Sequence, residues 1–399
     1  MNILFLGLST IKSFSDRGIY SDMLRELSKL GHSVFCVTTT ERRNNQKTTL
    51  FEEPLGKLLI VKTLNIQKTN IIEKGLGTLL ISRQFKKAIK KYFKNISFDL
   101  IIYPTPPITL FSVVKSLKKK TGAKTYLMLK DIFPQNALDL GMMKKTGVKG
   151  IIYKYFRKKE KKLYSVSDRI GCMSQANVEY LLGHNPEIPS DKVEVFPNCI
   201  DVQDFSLSQL EKNEIRIKYN LPLDKKIFVY GGNLGKPQNI PFLIECIKTQ
   251  KENDSVFFLI AGNGTDYDKL VSFRDSERQR NFMLLKRLPK NEYDRMIASC
   301  DVGMIFLDYN FTIPNFPSRL LSYMQAGIPI LACTDETTDI GKIIVEGGFG
   351  WWCPSNDTNG FKVCVLNAME NNFNYGVKEK NYLKKHFSVE SNVSKLCSF

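Results

Sequence analysis

The chain has 399 residues and a net charge of +18 at pH 7; 43% of its residues are hydrophobic and 25% are charged. This length exceeds one ordinary core and suits two α/β domains, and the composition excludes a disordered chain. Nine scattered cysteines argue against a disulfide framework, and only three histidines argue against a transition-metal site. We therefore expect reduced thiols and no metal ion.

The N-terminal segment is apolar but has no basic region, so it predicts a buried strand rather than a signal peptide. No later run approaches the ~18 consecutive apolar residues that cross a bilayer. We expect a cytoplasmic protein without a helical membrane anchor.

Short apolar runs alternate with longer amphipathic runs along the whole chain. The predicted strands cover residues 3–8, 34–38, 100–103, 125–129, 169–173, 227–230, 256–261, 281–286, 302–306 and 328–332. The predicted helices cover residues 19–30, 79–93, 109–120, 148–164, 240–249, 292–298, 318–325 and 338–345. This alternation, with strands rich in Val, Ile and Phe, indicates parallel sheets covered on both faces.

The βα pattern begins twice, at Ile3 and at Ile227. It predicts two Rossmann-like α/β domains, residues 1–203 and residues 204–380. The polar stretch 204–226 is the expected hinge between them. We expect residues 381–399 to pack back on the first domain.

The positive charge is confined to the first half of the chain. Residues 1–200 contain 34 Lys and Arg against 16 Asp and Glu, whereas residues 201–399 contain 24 of each kind. Such an excess predicts an anionic partner. An anionic leaflet attracts each nearby Lys or Arg by ~1 kcal/mol. No nucleic-acid-binding motif accompanies the charge, so we expect no nucleic acid partner.

Two Lys-rich segments, residues 79–94 and 148–164, concentrate this charge in amphipathic patterns. In the second segment, apolar residues recur near helical spacing and are expected to face the core. They are Val148, Ile151, Ile152, Tyr155 and Leu163. The cations predicted to face a membrane are Arg157, Lys158, Lys161 and Lys162.

A glycine-rich turn from Gly231 to Gly235 follows the strand at 227–230 and precedes a helix. Such a turn brings a phosphate close to free backbone N–H groups, and Lys236 adds a positive charge. The spacing is not G-x-G-x-x-G, so a nicotinamide cofactor is not indicated. A second turn, with Gly262 and Gly264, is expected to wall the same crevice, although both turns also suit ordinary βα loops.

The segment after the strand at 302–306 predicts a helix that starts near Pro317 and stops at Gly327. Arg319 lies in its first turn, where the helix dipole disfavours a cation. An arginine there suits a bound anion such as a diphosphate. The alternative is a solvent-exposed arginine on a structural helix.

Six short motifs together resemble those of the retaining glycosyltransferases of family 4. They are Gly18 before a helix that ends in Gly31-His32, Lys130-Asp131-Ile132-Phe133-Pro134, Cys172-Met173-Ser174, Phe196-Pro197-Asn198-Cys199-Ile200-Asp201, Gly232-Asn233-Leu234-Gly235 with Gln238, and Phe316-Pro317-Ser318-Arg319-Leu320. The likeness covers nearly the whole chain and is greatest to the O-antigen and capsule branch, which includes N-acetylfucosaminyl transferases. It implies the GT-B fold, two Rossmann-like domains whose parallel sheets face each other across a cleft.

The resemblance also implies roles for the two domains and for individual residues. The first domain would bind the acceptor and the second the nucleotide sugar, and the charge excess of the first domain predicts that it faces the membrane. Asp131 would organise the acceptor hydroxyl as the catalytic residue, or would cap the following turn as the alternative, and Arg17 and Gly18 would bind the acceptor. The implied donor-binding residues are Gly232, Asn233, Lys236, Gln238, Gly262, Gly264, Arg287, Leu288, Ser318, Arg319 and Ser322.

The chain departs from the family pattern around the donor. Pro314 and Ser322 stand where the family has two glutamates, and Asn233 and Gln238 replace an arginine and a lysine. Neutralisation of the phosphates would then depend on Lys236, Arg287 or Arg319.

The sequence therefore predicts a retaining glycosyltransferase, peripheral at the inner face of the cell membrane, which transfers a sugar from a UDP donor to a polyprenyl-diphosphate-linked saccharide. Neither a cofactor nor a metal is implied. One alternative is a sugar-nucleotide 2-epimerase, which would be expected to carry more carboxylates and histidines in its cleft. The other is a non-catalytic, basic membrane- or nucleic-acid-binding protein.

Overall fold

The structure, a computed structural model, describes residues 1–9, 11–66, 71–370 and 375–399. The described chain divides into two compact units, one of Met1–Asp201 with Val389–Phe399 and the other of Val202–Ser388. The main division falls two residues before the predicted boundary, and the last segment begins eight residues after the predicted one.

The first unit is built on a sheet with the order β3-β4-β2-β1-β5-β6-β7-β8 among the described residues. Its strands are β1 (Asn2–Leu6), β2 (Ser33–Glu41), β3 (Thr49–Glu53), β4 (Gly56–Thr63), β5 (Leu100–Pro104), β6 (Lys124–Leu129), β7 (Arg169–Cys172) and β8 (Val193–Val195). Strands β3 and β4 form an antiparallel hairpin, and the other neighbours pair in parallel. The helices are α1 (Ile19–Lys29), α2 (Ile71–Tyr92), α3 (Phe111–Thr121), α4 (Gln135–Asp139), α5 (Gly147–Val166) and α6 (Gln175–His184).

The second unit has a parallel sheet with the order β11-β10-β9-β12-β13-β14. Its strands are β9 (Lys226–Asn233), β10 (Val256–Asn263), β11 (Phe282–Lys286), β12 (Val302–Phe306), β13 (Ile330–Thr334) and β14 (Gly350–Pro354). The helices are α7 (Gln209–Lys218), α8 (Ile240–Lys248), α9 (Tyr267–Glu277), α10 (Lys290–Ala298), α11 (Arg319–Ala326), α12 (Ile340–Glu346), α13 (Thr358–Glu370) and α14 (Tyr375–Phe387).

Central strands of both sheets are buried along their full length. Every residue of β5 (LIIYP) and of β12 (VGMIF) is buried. Strands covered by helices on both faces read as continuous apolar runs, which explains why these two were predictable. Each sheet reverses its strand order once, between β1 and β5 and between β9 and β12. Ligands of open α/β sheets bind beyond the carboxyl ends of the strands at such points.

The polar stretch 204–226 is not the simple hinge that the sequence favours, because all of it belongs to the second unit. A capping box between Ser208 and Glu211 starts α7. Arg216 on α7 is buried and forms a 2.8 Å ion pair with Asp301. A helix anchored in this way belongs to the body of its domain.

The C-terminal segment, which contains α15 (Val389–Asn392), completes the first unit. Val389, Val393 and Leu396 are buried in the same apolar cluster as Ile3 and Phe5 of β1. The backbone N–H of Val389 donates to Ile200 O at 3.0 Å.

One packing prediction is wrong. Of the five apolar residues of the segment 148–164, only Leu163 is buried, and the other four are exposed on α5. None of the described helices combines the length and the apolarity needed to cross a bilayer.

Candidate functional site

The carboxyl edge of the second sheet collects several of the residues predicted to bind the donor. Gly231 to Asn233 end β9, Gly262 and Asn263 end β10, and Arg287 follows β11. Helix α11 begins with Arg319 after the loop that leaves β12. Because β9 and β12 are neighbours at the strand-order reversal, Arg319 lies directly beside the Gly231–Gly232 turn.

Arg319 lies inside this edge rather than in open solvent. Its guanidinium carbon is 4.2 Å from the centroid of the Tyr230 ring. A methyl group placed on Gly232 would stand 3.4 Å from Arg319 Nη2. Nη1 is shielded from solvent, and no described residue accepts a hydrogen bond from it. The alternative of an exposed arginine on a structural helix is therefore wrong, and the guanidinium keeps an unused donor beside the glycine turn.

Tyr323 fixes the backbone on which this arrangement depends. Its buried hydroxyl accepts from Gly231 N at 3.3 Å and lies 3.2 Å from Val229 O and 3.0 Å from Met304 O. Val229 and Met304 belong to β9 and β12, so this hydroxyl ties the two strands together at the reversal point. Burial raises the pKa of Tyr323, which keeps the phenol neutral and able to donate.

Tyr293 on α10 is a residue at this edge that the sequence did not reveal. A Cβ built on Gly231 would stand 1.8 Å from its hydroxyl oxygen, so the phenol occupies the space that the glycine leaves. Burial raises its pKa well above the usual value, and the charges of Tyr323 and Arg319 also act on it. The signal was only a tyrosine in a predicted helix, because helix rotation determines which residue reaches the sheet edge.

The two glycine turns serve close backbone packing as well as any ligand. A Cβ on Gly262 would stand 2.0 Å from Gly232 O, and one on Gly264 would stand 2.1 Å from Leu234 O. Gly232 itself has a φ of 126°, a region that favours glycine. Gly262 and Gly264 therefore let the ends of β9 and β10 approach each other, which positions the first turn.

The first turn is closed by a hydrogen-bonded pair of amide side chains. Asn233 Nδ2 donates to Gln238 Oε1 at 2.7 Å, and the same oxygen accepts from Gly235 N at 3.2 Å. These are the positions where the resemblance leads one to expect an arginine and a lysine. Neutral groups that bond to each other hold the turn but add no positive charge.

The other predicted donor residues lie around this centre at different distances. Lys236 is exposed, in the short turn after Gly235. Ser318 is the residue before α11, and Ser322 lies one turn further along that helix. Arg287 is exposed and Leu288 partly exposed after β11. Since β11 is two strands from β9, the backbone of Arg287 starts ~10 Å away along the sheet.

The first unit presents Asp131 at the carboxyl end of β6. Asn136 Nδ2 donates to both carboxylate oxygens, at 2.8 and 2.7 Å. The hydroxyl of Thr105, which follows β5, accepts from Asp131 N at 3.2 Å and donates to Asp131 O at 3.0 Å. Burial raises the pKa of the Asp131 carboxyl to about 6. Asn136 therefore holds the carboxylate of Asp131 and Thr105 holds its backbone, and the carboxyl group titrates at a pH close to neutral.

Arg17 and Gly18 lie in a tightly bonded loop after β1. Asp16 accepts from the backbone N–H of Lys12 and of Ser13, and Gly18 N donates to Asp22 Oδ1 at 3.1 Å. The Gly18 N–H is therefore already hydrogen-bonded at the start of α1. The side chain of Arg17 is partly exposed. The acceptor roles of both residues stay predictions.

The cations predicted to face a membrane lie on α5, with one difference. Lys158, Lys161 and Lys162 are exposed. Arg157 is partly buried, because its guanidinium pairs with the buried Glu160 and donates to His184 O and Asn185 Oδ1. These contacts within the protein engage the guanidinium, so Arg157 does not act as a surface cation. Within the described ranges, no group of three or more His, Cys, Asp or Glu side chains suits a metal ion.

Comparisons with known proteins agree with this architecture. Residues 20–204 match Glycosyltransferase Family 4, and residues 211–386 match Glycosyl transferases group 1. WbjE of Pseudomonas aeruginosa, named as a probable glycosyltransferase, is 28% identical over 65% of this chain and 63% of its own length. WcaI of Escherichia coli K12, whose name assigns it to colanic acid biosynthesis, is 22% identical over 73% of this chain and 68% of its own length.

The fold also resembles that of solved structures. A crystal structure of HepE from Anabaena in complex with UDP superposes with a TM-score of 0.68, covering 100% of this chain and 98% of that one. At 12% identity this likeness shows the fold alone. The alignment with WbjE spans slightly less than two thirds of that protein. The chain therefore combines a match to Glycosyltransferase Family 4 over residues 20–204 with a match to Glycosyl transferases group 1 over residues 211–386, and its two parallel-sheet units have the GT-B fold.

Proposed function

We propose that this protein transfers a sugar, with retention of anomeric configuration, from a UDP donor to a polyprenyl-diphosphate-linked saccharide in the synthesis of a surface polysaccharide. The donor would bind at the carboxyl edge of the second sheet. The acceptor would bind to the first unit near Asp131, at the cytoplasmic face of the membrane.

The observation that carries the proposal is the unused guanidinium donor of Arg319 beside the Gly231–Gly232 turn. A shielded cation with an unpaired N–H is costly unless a ligand pairs with it. A diphosphate supplies the negative charge and the acceptor oxygens that a guanidinium fork binds. The strand-order reversal is also where ligands of such sheets bind.

The proposed chemistry needs no protein nucleophile. The bond between the anomeric carbon and the leaving phosphate oxygen breaks while a bond forms to the acceptor oxygen on the same face. The acceptor proton passes to the departing diphosphate. Arg319 would stabilise the charge that develops on that leaving group, and Asp131 would orient the acceptor hydroxyl.

The choice of donor and acceptor is supported by related proteins. HepE has been crystallised with UDP, and WcaI is named for colanic acid biosynthesis. The excess of positive charge in residues 1–200 suits an acceptor whose lipid stays in an anionic membrane.

The first test is thermal unfolding with UDP, GDP and ADP. A ligand at ~100 times its dissociation constant stabilises its domain by ~2.7 kcal/mol, which corresponds to a rise in Tm of ~5–10 °C. We expect UDP to give the largest rise. If all three nucleotides leave the Tm unchanged at millimolar concentration, the donor site is wrongly assigned.

The second test addresses the reaction. Lipid-linked saccharides extracted from a bacterial membrane would be incubated with the protein and a panel of labelled UDP-sugars. Transfer of label into the lipid fraction supports the proposal, and the anomeric configuration of the product by NMR tests retention. Release of free sugar without any lipid product would contradict the acceptor class.

A further inference from the structure

Helix α5 leaves a row of large apolar side chains in solvent. Val148, Ile151, Ile152 and Tyr155 have exposed fractions of 76, 69, 44 and 43%. The residues that α5 buries include Gly150, Glu160, Leu163 and Tyr164. At 100° per residue Gly150, Glu160 and Tyr164 face away from the apolar row, whereas Leu163 and Val166 share its direction and are covered only near the C-terminal end of the helix. The apolar row itself is therefore not part of the core that the sequence predicted.

The same solvent-facing side becomes cationic in the second half of the helix. A shallow groove of about 600 Å³ runs along this side, and its lining includes Lys154, Lys158, Lys161, Lys162 and the partly buried Arg157. Lys161 shares its charge with Glu187 at 2.9 Å, and Lys162 lies 5.9 Å from the centre of the Phe111 ring. Of these four lysines, Lys154 and Lys158 lie closest along the helix to the apolar row, and Lys149 is exposed within it.

The spacing of the two halves matches the depth of a lipid interface. With a rise of ~1.5 Å per residue, the centre of the apolar row is ~7 Å from the midpoint of Lys154 and Lys158 and ~15 Å from that of Lys161 and Lys162. Apolar faces of interfacial helices sit ~5–10 Å below the headgroups, where anionic phosphates lie. A helix entering obliquely by its N-terminal half would place its lysines at the phosphates.

A neighbouring helix adds to the apolar surface. Leu76, Leu79 and Leu80 on α2 are also exposed. Helices α2 and α5 both pack against the turn Ile108–Leu110, and Thr109 Oγ1 donates to Thr78 O of α2 at 3.1 Å. The exposed apolar rows of α2 and α5 therefore belong to two helices that pack against the same turn.

Charge decides between the occupants of this surface. A second copy of the chain would present the same excess of positive charge in its residues 1–200, so two copies meeting at this surface would repel each other. Nucleic acid would use the lysines but would leave the apolar row in water. An anionic bilayer would bury the apolar row and would also supply phosphates to the lysines.

We propose that α5 inserts the apolar side chains of Val148, Ile151, Ile152 and Tyr155 into the acyl boundary of an anionic membrane while Lys154 and Lys158, which flank this row, bind lipid phosphates. This rests on the proposed function, since a lipid-linked acceptor would bring the first unit to a membrane. It goes beyond electrostatic attraction, because the binding then has an apolar component that salt does not screen.

The experiment is flotation of the full chain with vesicles of phosphatidylglycerol and phosphatidylcholine in equal parts. We expect binding at about 0.1 M NaCl that persists in part at about 0.5 M, where exposed charges are largely screened. Ile151→Ser with Ile152→Ser should lower partitioning at least about tenfold and make the remainder salt-sensitive. Lys154→Glu with Lys158→Glu should abolish binding at low salt.

The matched control is Val363→Ser with Leu366→Ser on α13, two exposed residues of the second unit with exposed fractions of 53 and 56%. It should bind vesicles like the wild type. Equal binding by the Ile151/Ile152 variant overturns the insertion, as does wild-type protein that ignores these vesicles at low salt. A dimer in sedimentation equilibrium that the Ile151/Ile152 variant dissociates would instead assign the face to a second copy.

Stabilisation by UDP, measured on every variant, keeps the two proposals separable. A protein that UDP stabilises but vesicles do not bind refutes the lipid surface alone. A protein that binds vesicles without responding to nucleotides refutes the donor site.

Discussion

The guanidinium of Arg319 lies over the ring of Tyr230, with its central carbon 4.2 Å from the ring centroid. The two residues lie on either side of the strand-order reversal in the second sheet. Tyr230 is on β9, and Arg319 is the first residue of α11, which follows β12. The ring supports one face of the planar cation and restricts its rotation. The donor that remains unused, Nη1, is thereby held in place before any ligand arrives.

Replacement of Arg319 should affect nucleotide binding more than replacement of Gln238. We expect Arg319→Ala to weaken UDP binding ~10–100-fold, because a charged hydrogen bond contributes ~1.5–3 kcal/mol. Arg319→Lys keeps the charge but loses the fork and should fall between. Gln238→Ala, which removes the hydrogen bonds to Asn233 and Gly235 but no charge, is the matched control. Isothermal titration with UDP measures all three, and equal small effects from Arg319→Ala and Gln238→Ala would refute the role.

Removal of the Tyr293 hydroxyl tests whether this phenol contributes to the phosphate site. We expect Tyr293→Phe to weaken UDP binding about 3–10-fold, the effect of one neutral hydrogen bond, and to leave the affinity for uridine unchanged. The control is Tyr219→Phe, since the hydroxyl of Tyr219 bonds to Glu292 on the same helix α10, away from the sheet edge. A loss of Tm in Tyr293→Phe without a change in the UDP constant would mark a structural role only.

A substitution at Gly262 should destabilise the second unit before it affects any ligand. Gly262→Ala would place a methyl carbon 2.0 Å from Gly232 O, so β9 and β10 must separate. We expect a loss of ~1–3 kcal/mol in the free energy of unfolding, typical of overpacking. Gly183→Ala on α6, where nothing lies within 4 Å of the added carbon, should stabilise by ~0.5–1 kcal/mol. Urea denaturation compares the two, and a neutral Gly262→Ala would contradict the close packing.

The titration of Asp131 should appear in the pH dependence of stability. Its pKa is raised to about 6 in the folded protein, above the value of about 4 expected when unfolded. The folded state then binds the proton more tightly, so the contribution of this group is full below about pH 4 and declines as the pH rises through about 6. Asp131→Asn cannot titrate. Its Tm minus that of the wild type should therefore increase from pH 4 to pH 7, and a difference that stays constant would contradict the raised pKa.

The sequence predicted the parallel sheets and most of the donor edge because both follow from local patterns. Central strands such as β12 are continuous apolar runs, and the order of strands in a doubly wound sheet brings Gly232 and Arg319 together. The sequence did not predict the hairpin of β3 and β4. This hairpin lies at the edge of its sheet, and β3, which is only partly buried, contains Glu52 and Glu53, so no continuous apolar run marks it.

Two other errors have a common physical cause. Periodicity on α5 tells which residues share a face, but not whether another element covers that face, so the prediction that Val148 and Ile151 face the core is wrong. The position of Tyr293 beside Gly231 depends in the same way on how α10 is rotated against the sheet. Both are properties of tertiary packing, which a single sequence encodes only through all of its contacts together.

The return of Val389–Phe399 to the first unit has a consequence for how the protein forms on the ribosome. Val389, Val393 and Leu396 fill the core against Ile3 and Phe5, yet they are synthesised after the whole second unit. The first unit therefore cannot complete its hydrophobic core until the last residues are synthesised, whereas the second unit can fold before that point. Nascent chains arrested before residue 389 should accordingly protect the second unit from proteolysis and leave the first one sensitive.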